Sequence, residues 1–225
     1  MKLTKKHTIA RSNYFICALY VTHISAIIGI YLGYLQWFLS KTWAILFFTF
    51  LILLDSLPQK SSKTFLCVLT IFFIGFLAEW LGVKYGFFFG DYSYGTNLGV
   101  KIDNVPLIIG INWVILSLAA RGVIQKIFKL PTLKIIIASL LMVALDILLE
   151  PLAPKLGYWS FDLMVAPPSN YRGWFLLSIL IQSILEFVNL RLHFKTSLHI
   201  FAIQFLFFWS LYVLFNPLVD LSIGK

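Results

Sequence analysis

Charge is the scarcest thing in this chain. Of 225 residues only 12% are Asp, Glu, Lys or Arg, while 60% are hydrophobic. Soluble domains carry about 25% charged residues, so an ordinary water-soluble domain is excluded. Cysteine is scarce too. Cys17 and Cys67 both fall in apolar runs, which rules out a disulfide framework and leaves them as small apolar fillers. No GxGxxG follows a strand pattern, which argues against a flavin or nicotinamide enzyme. The four histidines, His7, His23, His193 and His199, form no HxxxH or HxxHH box of the membrane di-iron kind. There is no DDxxD pair to hold magnesium and diphosphate, as a prenyltransferase would need. There is no P-loop, and the last apolar run has no lysine for a retinal Schiff base. No cofactor and no metal is expected.

What is present is hydrocarbon. Mean hydropathy is +0.90, and about 20 apolar residues suffice to cross a bilayer. Candidate spans are 14–35, 42–57, 64–83, 105–128, 132–150, 171–190 and 197–219, the second being short. The expectation is an all-α, polytopic membrane protein of about seven transmembrane helices with two long outer loops, forming a single integral-membrane domain over 1–225. The basic start leads into an apolar run too long for a signal peptide core. A cell-membrane, multi-pass location follows.

The formal charge of +9 does not point to nucleic acid, because the cations are arranged as topology signals. With the N-terminus inside, the inner segments hold Lys2, Lys5, Lys6, Arg11, Lys60, Lys63, Arg121, Lys126, Lys129, Lys134, Arg191 and Lys195. The outer segments hold Lys41, Lys84, Lys101, Lys155, Arg172 and Lys225. This bias favours N-in, C-out.

Two spans each carry an acid in their outer half. Glu79 lies about 15 residues along its span and Asp146 about 14 along its own, at 1.5 Å of rise per residue. Glu150 is one turn beyond Asp146 on the same face. Carboxylates are costly in hydrocarbon, so an intramembrane acid is a functional candidate. Each of these spans runs into a loop of about 20 residues rich in Gly, Pro and aromatics, which is long for a compact protein. Tyr92 and Tyr94 lie in the first loop and Trp159 in the second. The following helices open with Asn112-Trp113 and with Asn170 and Trp174. The two halves read as a weak pseudo-repeat. Other polar residues have plainer readings. Trp and Tyr near helix ends form interfacial belts, and Asp91, Asp103 and Asp162 are turn formers. Asp55 is a solvated helix end beside Lys60 and Lys63, Glu186 snorkels or pairs with Arg191, and Asp220 is tail.

The ordered set Glu79, Gly86, Gly90, Tyr92, Tyr94, Leu98-Gly99, Val105-Pro106 and Trp113 resembles the first signature of the carotenoid-biosynthesis membrane proteins of the bisanhydrobacterioruberin hydratase and carotenoid 1,2-hydratase type. Asp146, Glu150-Pro151, Trp159, Asn170, Gly173 and Trp174 resemble the second. The likeness covers about 76–174. The chain departs from the family in having Glu150-Pro151 for the usual Asp-Pro. It also has Met164-Val165-Ala166-Pro167-Pro168 in place of a Gly-rich stretch.

The resemblance implies addition of water to the terminal double bond of an acyclic carotenoid end group, giving a 1-hydroxy product. It also implies a carotenoid substrate within the bilayer, water as co-substrate, and association with other carotenoid-biosynthesis enzymes. The residues suit this chemistry. Alkene hydration needs a proton donor, a stabilised tertiary cation and a base for the incoming water. Neighbouring carboxyls can divide donor and acceptor roles. Aromatic faces stabilise a cation by about 0.5–2 kcal/mol each. Asp146 is the expected acid, with Glu79 or Glu150 as base. Tyr92, Tyr94, Trp113, Trp159 and Trp174 are expected around the substrate, and Asn112 and Asn170 are expected to orient water. A cofactor-free cyclase, which starts with the same protonation, is the alternative. A small proton-coupled transporter is the alternative from another class.

Overall fold

The computed structural model describes the backbone of residues 2–215 and the side chains of residues 12–215. Asp220, Lys225 and the end of the expected last span lie outside the described residues, as do the side chains of Lys2, Lys5, Lys6, His7 and Arg11. The chain runs α1 (Lys2–Tyr31), α2 (Leu35–Leu39), α3 (Thr42–Asp55), α4 (Ser62–Tyr85), β1 (Tyr92–Tyr94), β2 (Lys101–Ile102), β3 (Val105–Pro106), α5 (Leu107–Ile127), α6 (Pro131–Leu149), β4 (Trp159–Phe161), α7 (Pro168–Val188) and α8 (Phe194–Phe215).

Among the described residues six helices are long and apolar enough to cross a membrane, and the chain is a multi-pass membrane protein. The expected second span is the 14-residue α3. At 1.5 Å per residue it reaches about 21 Å, short of the ~30 Å hydrocarbon thickness. It nevertheless links the two ends of the bundle. Thr42 Oγ1 lies 3.1 Å from the hydroxyl of Tyr158, in the loop after α6. Asp55 pairs with Lys60 at 3.3 Å, just before α4.

The bundle therefore has a loop end, where both long loops gather, and a far end. α5 sits at its centre, packed by α3, α4, α6, α7 and α8, and is buried along nearly its whole length. Gly110, Ala119, Ala120 and Gly122 keep it slim, as close helix approach in a membrane requires. On α4 the buried positions recur every three or four residues through Ile71, Gly75, Ala78, Glu79 and Gly82, so Glu79 must face α5.

The two long loops are not loose. β1 and β4 pair antiparallel, with Tyr92 opposite Phe161 and Tyr94 opposite Trp159. These strands stitch the loop after α4 to the loop after α6, a pairing the all-α expectation did not include. Gly86 ends α4 in the left-handed region at φ 68°, which turns the chain back over the bundle. Asp103 and Asn104, at φ 48° and 70°, form the two-residue turn between β2 and β3. Asp103 also accepts from Trp80 Nε1 at 2.6 Å.

At the far end Glu186 pairs with Arg121 and with Lys134 at 3.3 Å, not with Arg191. It lies on the α7 face turned to α5 and α6. Arg191 follows the left-handed turn at Asn189, beyond the helix.

Candidate active site

Three acids converge at the loop end, each nearly sealed from solvent: Glu79 is 4% exposed, Asp146 2% and Glu150 8%. Glu79 is held by three donors. The hydroxyls of Tyr92 and Tyr94 donate to its Oε2, the latter at 2.7 Å, and Trp113 Nε1 donates to Oε1 at 2.9 Å. The strand pairing of β1 with β4 sets both tyrosines over the carboxyl. Burial, and then the facing Glu79 carboxylate, push both phenols well above the usual range. They stay protonated and act as donors. Gly75 and Gly82 flank Glu79 and make room for Trp113 and Tyr92. A Cβ on Gly75 would lie 2.5 Å from Trp113 Cγ, and one on Gly82 would lie 2.9 Å from the Tyr92 hydroxyl.

Asp146 and Glu150 are joined through Asn170 of α7. Its Nδ2 donates to Asp146 Oδ2 at 3.0 Å and to Glu150 Oε1 at 2.9 Å. Trp159 Nε1 adds a bond to Glu150 Oε2 at 3.2 Å. Glu150 caps α6 just beyond its last residue. Burial raises it to about 7, opposed by the donors Trp159 and Asn170. Trp113 and Trp174 stack with ring centres 4.2 Å apart, and Tyr94 meets Trp159 edge-on at 6.2 Å.

Two cavities meet here. A pocket of about 20 Å³ is lined by Glu79, Glu150, Asn112, Asn170 and the rings of Tyr92, Tyr94, Trp113, Trp159 and Trp174. A buried water needs roughly 10–15 Å³, so the pocket fits one. A larger cavity of about 340 Å³, almost wholly apolar, runs between α1, α3, α5, α6 and α8 and reaches Asp146. Asn112, Trp159 and Trp174 line both. All ten residues singled out in the sequence thus border one of two adjoining spaces.

Sequence reasoning did not foresee that most of the larger cavity's wall comes from outside 76–174. Trp37, Thr42, His23 and Gln204 line it. The available signal was His23 and Gln204, polar side chains in otherwise apolar spans. Among the described residues no group of three or more His, Cys, Asp or Glu side chains is placed to hold a metal ion.

Known proteins give this geometry a setting. Bisanhydrobacterioruberin hydratase from Haloarcula japonica is 28% identical over 134 residues. That alignment takes in 53% of this chain and 43% of the relative, less than half of the relative's length. No solved structure matches. The profile of carotenoid biosynthesis proteins matches residues 40–224, most of the chain. The chain belongs to the carotenoid biosynthesis protein family.

Proposed function

We propose that this protein hydrates the terminal double bond of an acyclic carotenoid end group, giving a tertiary alcohol. The observation that carries this is the meeting of a one-water polar pocket with an apolar cavity at a cluster of three acids. The polyene end lies in the apolar cavity with its last double bond beside Asp146. Asp146 gives its proton to the less substituted carbon, and a tertiary cation forms on the other.

The stacked Trp113 and Trp174 and the Trp159 ring face that cation, each ring worth about 0.5–2 kcal/mol. Glu79 receives three donors and so is suited to holding negative charge near the cation rather than to giving a proton. Water in the small pocket, oriented by Asn112 and Glu150, closes on the cation. Glu150, raised to about 7, takes the water's proton; a base of that strength can also release it near neutral pH.

The pocket favours hydration over cyclisation, since a cyclase gains by excluding water from the cation. Expression in a bacterial host that makes lycopene or γ-carotene, with mass spectrometry of the pigments, tests the proposal. Hydration adds the mass of one water, and cyclisation leaves the mass unchanged. Untouched pigment across several acyclic substrates would refute both.

A further inference from the structure

Serines and threonines in membrane helices ordinarily satisfy their hydroxyls on the carbonyl one turn back. Ser183, Ser210 and Thr49 do so here, at 2.7, 2.8 and 2.8 Å. Ser117, Ser139 and Ser178 do not. All three are 0% exposed, and their hydroxyls have no protein partner. The same holds for Gln182 Oε1, for Arg121 Nε and Nη1, and for Asp146 Oδ1.

These atoms are not scattered. On α7, Asn170, Trp174, Ser178, Gln182 and Glu186 recur every four residues, each beside the next, and so form a stripe that winds slowly around the helix. Along it Asn170 meets Asp146 of α6, Gln182 meets Ser117 of α5 and Met142 of α6, and Glu186 meets Arg121 of α5, while Ser139 lies one turn from Met142 on α6. Gln182 Nε2 ties the three helices together, reaching Ser117 O at 3.0 Å and Met142 Sδ at 3.5 Å. From Asn170 to Glu186 the stripe is about 24 Å long. It starts at the acid cluster and ends where Glu186 meets Arg121 and the part-exposed Lys134.

An orphaned buried polar atom costs about 1–3 kcal/mol. A run of seven in hydrocarbon is tolerable only if something satisfies it, and the ligand that can give and accept at each point is water. We infer that the core between α5, α6 and α7 holds a file of bound water from the Arg121–Glu186 pair to Asp146, and that this file reloads Asp146 with its proton. The second part rests on the hydration proposed above.

In each turnover the Asp146 proton ends on carbon, the water oxygen bonds to the cation, and the water's proton goes to Glu150. Asp146 is then one proton short. Asn170 Nδ2 donates to both carboxyls without handing protons on, and the direct hydrogen bond between Asp146 and Glu150 can return a proton within the pair, so the file is the route by which Asp146 exchanges protons with the far end. Its water and serine hydroxyls hand them on. Glu150 releases its proton at the loop end, and the file refills Asp146 from the Glu186 end. The Arg121 charge is matched by Glu186, and its free N–H groups anchor the first waters.

The test compares Ser178→Val with Ser178→Thr, two side chains of near-equal volume that differ by the hydroxyl. Ser178→Val is expected to slow hydration roughly tenfold and raise the solvent isotope effect, while Ser178→Thr stays near wild type. Hydrogen–deuterium exchange at the Asp146 carboxyl, read from its infrared carbonyl band and assigned with Asp146→Asn, should slow in Ser178→Val and in Gln182→Leu. Equal behaviour of the Val and Thr variants in rate and exchange would overturn the file. A wild type that leaves every acyclic pigment untouched, yet shows hydroxyl-dependent exchange, would remove the hydratase reading and keep the file.

Discussion

Asn170 is the strongest single lever on the site, because one side-chain nitrogen serves two carboxyls. Replacing it with Ala removes the 2.9 Å bond to Glu150 Oε1 and leaves the 3.2 Å bond from Trp159 and the contact with Asp146. A hydrogen bond to a charged group is worth about 1.5–3 kcal/mol, and a shift of one pH unit corresponds to about 1.4 kcal/mol. The lost donor had favoured the ionised form. Without it the titration of Glu150 moves upward from about 7 by roughly one to two pH units. Glu150 acts as base only when ionised, so the rate climbs with pH through this titration. At pH 7 the ionised fraction falls from about one half to roughly 1–10%. Asn170→Ala should therefore be roughly five- to fifty-fold slower at pH 7 and should recover much of that loss near pH 9. The assay is the initial rate of pigment hydration in purified membranes between pH 5.5 and 9.5. A loss of the same size at every pH would refute the assignment of Glu150 as base and reduce Asn170 to a helix tie.

Asp146→Asn should abolish hydration by about 10²-fold or more while the protein still folds and binds polyene, since Asn can still accept from Asn170; full activity would remove Asp146 from the chemistry. Glu150→Asp should keep more activity than Glu150→Gln, because the shorter acid retains a proton acceptor and the amide does not; product yield in the pigment host reads this directly. Gly75→Ala should destabilise the protein by about 1–3 kcal/mol and depress activity, because the new methyl must displace Trp113; an unchanged melting temperature in detergent with full activity would contradict the packing described.

The spans were legible because hydrocarbon imposes a length and a composition that few other structures share. The acids stood out for the same reason: Glu79 and Asp146 interrupt runs where charge is costly. The turn role of Asp103 was legible from its Asp-Asn chemistry. The pairing of Tyr92–Tyr94 with Trp159–Phe161 was not, since three-residue strands have too little pattern to show, and their partners lie about 67 positions apart. Nor was the choice of partner for Glu186. Proximity in sequence favoured Arg191, while helix packing brought Arg121 and Lys134. The wall of the apolar cavity supplied by α1, α3 and α8 was equally hidden, because a lipid-facing side chain and a cavity-facing one look alike in a list of apolar residues.

The sequence by itself determined that this protein lives in a bilayer and that two of its helices carry acids toward the same end, because each of these follows from local transfer energies and chain direction. Only the tertiary structure decided which donors hold each acid, that Asn170 joins Asp146 to Glu150, and that a water-sized polar pocket abuts a hydrocarbon cavity. Those depend on how helices rotate and pack against one another, and that is set by contacts between residues far apart in the chain.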